Sequence, residues 1–107
     1  MRRRPRYFVY ILSNPSRTLY IGKTSNLEFR MWQHKTRAIP GFTSKYRIDQ
    51  LVWFGETADV REAGEKERQI KNWHHQWKIN LIEQTNPEWR DLSADWGLMV
   101  CRKRLRS

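Results

Sequence analysis

Residues 18–34 combine a short strand, a turn and a capped helix, and they constrain the fold more than any other part of the chain. The apolar run 19–21 ends at Gly22 and is followed by a polar turn. Ser25, with Glu28 three residues later, has the pattern of a capping box and predicts the start of a helix. The stretch therefore predicts a strand that leads directly into a helix.

The predicted helix carries two polar side chains on one face. Arg30 and His34 lie four residues apart, so their side chains project from the same side of a helix. Residues 7–12, Tyr-Phe-Val-Tyr-Ile-Leu, are rich in aromatic and β-branched side chains and predict a partner strand that contains Tyr10. Tyr20 lies on the strand before the helix. We therefore expect two tyrosines, an arginine and a histidine to share a polar site on rigid elements.

A carboxylate in the second half of the chain falls where an apolar side chain would be expected. A second helix is predicted over 60–74. Its apolar stripe consists of Val60, Ala63 and Ile70. Glu67 lies within this stripe, and a buried carboxylate is costly unless it is paired or binds a cation. Glu67 is therefore a candidate metal ligand, or else the partner of Lys71 in a structural ion pair one turn on.

The remaining segments complete a small mixed fold. Residues 50–56 predict a third strand, after a Pro-Gly break at 40–41 and a polar, aromatic loop over 42–47. A last helix over 76–85 ends before the Asn-Pro at 86–87. This order predicts an α/β domain of the α+β type, a small three-stranded antiparallel sheet flanked by helices.

Most of the six tryptophans have apolar neighbours, which predicts core positions for them. Those expected in the core are Trp53, Trp73, Trp77, Trp89 and Trp96. Trp32 lies close to Arg30 in the sequence, and stacking on a nucleic-acid base is an alternative for it.

The net charge of +10 is unevenly distributed. Residues 2–6 and 102–106 contain eight of the 21 basic side chains. Residues 17–47 contain seven basic residues and one acidic residue, whereas residues 49–101 contain ten acidic and six basic ones. The positive field therefore falls on the motif-bearing half and on the two ends, a distribution that favours a nucleic-acid partner.

We expect one domain over 7–97, with a disordered basic arm over 1–6 and a basic tail over 98–107. These ends would attract phosphates without regard to sequence, or they would only solubilise the protein. The end residues expected to contact nucleic acid are Arg2, Arg3, Arg4, Arg102, Lys103 and Arg104. Three residues within the domain have weaker signals: Lys23, Lys45 and Tyr46. They would bind phosphate or support the site, or they would simply be solvated.

Five sequence elements, in order, resemble the GIY-YIG endonuclease superfamily, and most closely its small stand-alone bacterial members. The matching residues are Val9-Tyr10-Ile11, Tyr20-Ile21-Gly22, Arg30, His34 and Glu67. The resemblance covers roughly residues 6–92. Position 9 is Val where the family's first motif has Gly, but only the tyrosine of that triplet has a chemical role in the family.

The resemblance implies a metal-dependent DNA endonuclease that hydrolyses phosphodiester bonds, with a role in DNA repair or recombination. Glu67 would anchor Mg²⁺ or Mn²⁺, since one carboxylate suits a hard cation that keeps several waters. Arg30 would hold a non-bridging phosphate oxygen. Tyr10 would be the general base or a relay to water, so its ordinary pKa of about 10 must fall or be bypassed. His34 would take up that proton or orient the phenol, and Tyr20 would position water or phosphate.

Each of these side chains also has a purely structural alternative. Tyr10 and Tyr20 could be ordinary strand aromatics with their hydroxyl groups at the rim of the sheet. Arg30 could be a solvated helix arginine paired with Glu28 or a neighbour, and His34 could donate to a backbone carbonyl.

Two further functional classes remain open from the sequence. A module with this fold could bind nucleic acid without cutting it, and a protein-interaction domain would need an exposed apolar patch. The expected partner is the phosphate backbone of DNA with little sequence specificity, and the protein would be a monomer or a weak dimer. No run of 18 apolar residues is present, so no membrane partner is expected. Cys101 is the only cysteine, which is typical of a cytoplasmic protein and makes an intrachain disulfide impossible.

Overall fold

The structure is a computed structural model that describes residues 6–36, 38 and 40–96. Its strands are β1 (Tyr7–Ser13), β2 (Leu19–Thr24) and β3 (Gln50–Thr57). Its helices are α1 (Leu27–Lys35), α2 (Phe42–Lys45), α3 (Val60–Lys71) and α4 (His75–Thr85), followed by a 3₁₀ turn at Ala94–Trp96. No helix in this described part is long and apolar enough to cross a membrane.

The three strands form one antiparallel sheet in the order β2-β1-β3. The predicted α+β class and the three-stranded antiparallel sheet are therefore confirmed. In the register of this sheet, Tyr10 on the central strand lies opposite Gly22 on one side and Phe54 on the other. Tyr20 lies opposite Leu12, two positions along β1 on the same face as Tyr10. The sheet thus brings both predicted site tyrosines to one face.

Helices cover the sheet on both faces, because alternate residues of β1 belong to two different apolar cores. One core lies against α3 and α4, and its buried members are Val9, Ile11, Ile21, Val52, Ala63, Ile70, Ile82 and Trp89. The other lies against α1 and contains Tyr10, Leu12, Leu27, Met31, Ile48 and Leu51. The predicted site side chains of β1, β2 and α1 belong to this second layer.

Asp91, which lies in the segment between α4 and the 3₁₀ turn, connects α1 to the sheet. Its carboxylate accepts hydrogen bonds from Lys35 Nζ at 2.5 Å and from Leu51 N at 3.1 Å. It also accepts from the backbone N and the hydroxyl of Ser93. The end of α1 is thereby fixed to the start of β3.

The predicted start of α1 is wrong by one residue. The helix is capped by Asn26, whose Oδ1 accepts a hydrogen bond from Phe29 N at 3.0 Å. Ser25 precedes the cap because β2 continues through Gly22 as far as Thr24. Asn and Ser are both strong N-cap residues, so a capping box in the sequence did not discriminate between neighbouring candidates.

Three other expectations differ from the structure. The loop predicted over 42–47 contains the one-turn helix α2, which is too short to show an apolar period and begins after Gly41 at a φ of 123°. Trp77, predicted to be buried, is 54 % exposed at the start of α4, where it packs against the edges of Trp73 and His74. Val60, predicted to belong to the buried stripe of α3, is exposed at the first position of that helix.

Candidate active site

Tyr10 is the most deeply placed of the predicted site residues. Its side chain is 2 % exposed and lies beneath the backbone of Gly22 on the neighbouring strand. A Cβ atom built on Gly22 would lie 2.6 Å from Tyr10 Oη and 2.7 Å from Cζ. Because any side chain at this position would collide with the phenol, glycine at position 22 is what allows Tyr10 its position.

His34 lies between Tyr10 and α2. Leu27, Met31 and His34 are the buried residues of α1 and share its sheet-facing side. His34 Nε2 lies 3.5 Å from Tyr10 Oη, and His34 Nδ1 lies 3.2 Å from Thr43 Oγ1. The structural alternative in which His34 donates to a backbone carbonyl is not what the structure shows, since both ring nitrogens face side-chain hydroxyls.

Tyr20 completes a cluster of three rings, which we call the tyrosine–histidine cluster: Tyr10, Tyr20 and His34. The centroids of the rings are 5.8 Å apart between Tyr20 and His34, 6.1 Å between Tyr10 and His34, and 6.4 Å between the two tyrosines. Tyr20 is half-buried at the edge strand, so of the two tyrosines it is the one nearer solvent. Its position suits a role at the mouth of the site.

Arg30 lies one turn before His34 on α1 and is half-buried. Its Nε atom is buried and has no hydrogen-bond partner among the residues that the structure describes. Glu28, the partner that the structural alternative assigned to it, is exposed and forms no ion pair with it in that part of the chain. A buried guanidinium donor without a partner costs free energy, and an anion such as a phosphate oxygen would satisfy it.

Glu67 lies on the inner side of α3, as the apolar stripe predicted. Its side chain is 18 % exposed and forms an ion pair with Lys71 at 3.1 Å. The structural alternative to metal binding, an ion pair with Lys71, is therefore present. Lys71 is 53 % exposed, so it can leave the carboxylate for solvent at little cost.

The charges of Arg30 and Glu67 act on the tyrosine–histidine cluster. Burial, then Tyr20, raises the pKa of the Tyr10 phenol above its ordinary value, Arg30 opposes this, and Glu67 adds to it. Burial, and then the charge of Arg30, lowers the pKa of His34 to about 4. At neutral pH the phenol is therefore protonated and the imidazole is uncharged. The pKa of Tyr10 is therefore not lowered, as it would have to be for the phenolate to act as a general base. A role for Tyr10 in proton transfer then requires the phenol to act as a relay.

The donor set suits a hard cation and does not suit zinc. Among the described residues, no group of three or more His, Cys, Asp and Glu side chains could hold a metal ion. Glu67 supplies one carboxylate at a half-buried position, and Mg²⁺ or Mn²⁺ would complete such a site with waters and substrate oxygens. The residues present thus fit a cation held by one protein ligand.

The residues predicted to contact nucleic acid fall into two groups, those within the domain and those at the two ends of the chain. Lys23, Lys45 and Tyr46 are exposed, and Lys45 Nζ lies over the Tyr46 ring at 5.4 Å from its centroid. Lys23 Nζ lies beside α3, 3.3 Å from where a Cβ on Gly64 would be. The predicted end contacts lie outside the described residues, as does Cys101: Arg2, Arg3, Arg4, Arg102, Lys103 and Arg104.

Thr43 is the residue of this site that the sequence did not reveal. It is buried, its hydroxyl faces His34, and it lies nine residues away on a segment predicted to be a loop. A single threonine in a polar stretch carries no periodic or motif signal. Its contact with His34 depends on how α2 packs, which only the fold specifies.

Comparison with known proteins identifies the family of this chain. A family profile described as the GIY-YIG catalytic domain matches residues 6–80. The UPF0213 protein SH2523 of Staphylococcus haemolyticus is 30 % identical over 79 residues, which is 74 % of this chain and 96 % of that protein. A UPF0213 protein of Syntrophus aciditrophicus is 34 % identical over 82 residues, 76 % of this chain and 93 % of that one.

A solved structure has the same fold. The solution NMR structure of the UPF0213 protein BH0048 from Bacillus halodurans superposes with a TM-score of 0.54 at 20 % identity. The match covers 84 % of this chain and 97 % of that one. At this level of identity the likeness concerns the architecture.

Proposed function

This chain belongs to the GIY-YIG family of nucleases, and we propose that it is a metal-dependent endonuclease that hydrolyses phosphodiester bonds in DNA. The observation that carries the proposal is the buried, unpartnered Nε of Arg30, one helical turn from His34. This Nε, which has no partner among the described residues, is a donor already in place for an anion, and it lies beside the tyrosine–histidine cluster, which can transfer a proton. A scissile phosphate placed there would satisfy the donor, and the guanidinium would stabilise charge that develops on a non-bridging oxygen.

The tyrosine–histidine cluster would carry the proton of the attacking water. Since the buried Tyr10 phenol stays protonated, it acts as a relay: Tyr10 Oη accepts a proton from water while its own proton passes to His34 Nε2. The neutral imidazole of His34 is the acceptor at the end of this path. Tyr20, nearer solvent, would hold the water or the phosphate in line.

Glu67 would hold the divalent cation, Mg²⁺ or Mn²⁺, after Lys71 turns away into solvent. When bound, such a cation would polarise the phosphoryl oxygen and help the leaving oxygen depart. Lys71 and the cation compete for one carboxylate, so the free protein keeps Glu67 paired.

The substrate we propose is DNA contacted mainly through its phosphates, in a repair or recombination setting. A second candidate is a module of the same fold that binds nucleic acid without cleaving it. The Glu67–Lys71 ion pair favours this candidate, because it occupies the carboxylate that would otherwise hold the cation. The two candidates separate on metal-dependent cleavage.

The test is nicking of supercoiled plasmid with Mg²⁺, with Mn²⁺ and after chelation. We expect wild-type protein to nick only when the metal is present. Glu67→Gln should abolish nicking while DNA binding persists, and Arg30→Lys should reduce the cleavage rate far more than the affinity. Lysine keeps the charge of Arg30 but lacks its Nε donor and planar fork.

Glu65→Gln is the matched control, since Glu65 is an exposed carboxylate on the same helix. It should cleave like wild type, and thermal melts should show all three variants folded. DNA binding by wild type without cleavage in either metal would establish the binding module. Full nicking by Glu67→Gln would remove Glu67 from the site.

A further inference from the structure

We propose that Thr43 is a positioning residue that holds His34 in the tautomer with its proton on Nδ1, so that Nε2 is free to accept the Tyr10 proton. The kinetic part of this inference rests on the proposed function, whereas the tautomer itself is a property of the free protein.

The Thr43 hydroxyl is held in place from several directions. Thr43 is 8 % exposed, and its Oγ1 lies 3.2 Å from His34 Nδ1. Its backbone carbonyl accepts a hydrogen bond from Ile48 N at 2.8 Å. At the other end of α2, the Tyr46 carbonyl accepts from Asn14 Nδ2 at 2.8 Å, which ties α2 to the turn between β1 and β2. In the folded state the hydroxyl therefore faces the imidazole from a short helix that is hydrogen-bonded at both ends.

The two contacts of the ring determine where its proton lies. A neutral imidazole has one N–H donor and one bare nitrogen. Tyr10 stays protonated, because burial raises the pKa of its phenol, and its Oη lies 3.5 Å from Nε2. A phenol is a better donor than acceptor toward an imidazole nitrogen, so we assign Tyr10 as the donor of this contact. Nε2 must then be bare, so the proton is on Nδ1 and is donated to Thr43 Oγ1. In the opposite tautomer Nε2 would carry the proton and could only donate to Tyr10 Oη, the weaker arrangement of the two.

This arrangement has a consequence for the relay. When Nε2 receives a proton, the ring becomes an imidazolium whose Nδ1–H already has an acceptor in Thr43 Oγ1. No ring flip or tautomer exchange precedes the transfer. Without the hydroxyl, the ring would populate the tautomer in which Nε2 carries the proton and cannot accept another.

The tautomer can be measured directly on ¹⁵N-histidine-labelled protein, because the chain has only three histidines. Protonated and bare ring nitrogens differ strongly in ¹⁵N shift, and His34→Gln identifies the His34 signals. We expect Nδ1–H in wild type and in Thr43→Ser, and a shift toward Nε2–H in Thr43→Val. A wild-type spectrum with the proton on Nε2 would overturn the proposal without any Thr43 variant, whether or not Thr43→Val folds.

Single-turnover cleavage at saturating DNA supplies the second readout. Thr43→Val should slow the step by about 10-fold and leave DNA affinity unchanged. This is less than the roughly 10²- to 10⁴-fold contribution of a general acid or base itself, because Thr43 acts only through His34. Thr43→Ser should restore most of the rate. Equal losses in both variants would show that keeping the hydroxyl, as serine does, fails to preserve the rate, and would overturn the role. If wild type does not cleave, the proposed function fails, and the ¹⁵N tautomer decides the positioning of His34 alone.

Discussion

Gly22 and Tyr10 form the tightest steric pair of the site. Replacing Gly22 by alanine would put a Cβ 2.6 Å from Tyr10 Oη, so the phenol would have to shift and its contact with His34 Nε2 would change. We expect Gly22→Ala to lower the free energy of unfolding by about 1–3 kcal/mol, the usual cost of overpacking, and to abolish nicking. Urea melts and the plasmid assay measure the two effects.

Gly64→Ala is the control for this substitution. Gly64 lies within α3, and its added Cβ would meet only the flexible end of Lys23 at 3.3 Å. Alanine favours a helix over glycine by roughly 1 kcal/mol, so the control should melt at or above wild type. Identical melts and identical nicking for the two alanine variants would contradict the steric role of Gly22.

At the scale of elements, the Asp91 contacts that join α1 to β3 should make folding stability depend on pH. Burial alone would raise the pKa of Asp91, but hydrogen bonds from Lys35 and Ser93, with the charge of Lys35, lower it below its ordinary value. A carboxylate with a lowered folded pKa contributes stability above its unfolded pKa of about 4 and loses it as the pH falls through the folded value.

We therefore expect Asp91→Asn to lower the free energy of unfolding at pH 7 by about 1–3 kcal/mol, because Lys35 loses its charged partner. The difference from wild type should shrink in urea melts below about pH 4, where the native carboxylate itself becomes protonated. Asp95→Asn, which changes an exposed carboxylate nearby, should match wild type at both pH values. A pH-independent difference for Asp91→Asn would mean that its charge contributes nothing.

How far the sequence predicted each element depended on whether the element is long enough to have a characteristic composition or period. The strands were predicted from apolar runs rich in aromatic and β-branched residues, and α3 from apolar residues that recur every three to four positions. The same period correctly placed Glu67 on the inner side of α3 and Arg30 with His34 on one helix. The four-residue α2 is too short to have a period, so the Thr43 contact could come only from packing.

Local patterns also misled where two outcomes have similar energies. Neighbouring Ser25 and Asn26 are both competent caps, and the longer β2 decided between them. Trp77 has apolar neighbours in sequence, yet α4 turns Ile82 inward and leaves the indole at its first turn exposed. The steric reason for Gly22 likewise required the register that puts it opposite Tyr10.

At the scale of the whole molecule, the uneven charge predicts that the basic ends contribute to DNA affinity and not to the rate of cleavage. Arg6, which the sequence assigned to the basic arm, forms an exposed ion pair with Glu56 at 2.9 Å. The other end residues remain candidates for sequence-independent binding to phosphates. We expect the full-length protein with glutamine at six of them to bind DNA more weakly and with a flatter salt dependence. The six are Arg2, Arg3, Arg4, Arg102, Lys103 and Arg104.

A salt titration of binding measures this effect. The slope of log affinity against log salt should flatten by about 0.9 for each phosphate that the variant no longer neutralises. Single-turnover cleavage at saturating DNA is the internal control and should barely change, because no end residue is asked to touch the scissile phosphate. An unchanged slope would leave the ends a solubilising role only, and a collapsed rate would mean that part of the active site lies there.

The central position of β1 has a consequence for how the site opens. Its backbone is paired on both sides, so exchange of the Tyr10 amide with deuterium should require the sheet to separate. The one-turn α2 is held by a few backbone bonds and should exchange through a local fluctuation of its own. The two segments that flank His34 thus lie at opposite ends of the protection scale: the Tyr10 amide should exchange only when the sheet separates, whereas the amides of α2 should exchange through rare, brief openings of a helix that is otherwise closed over the ring.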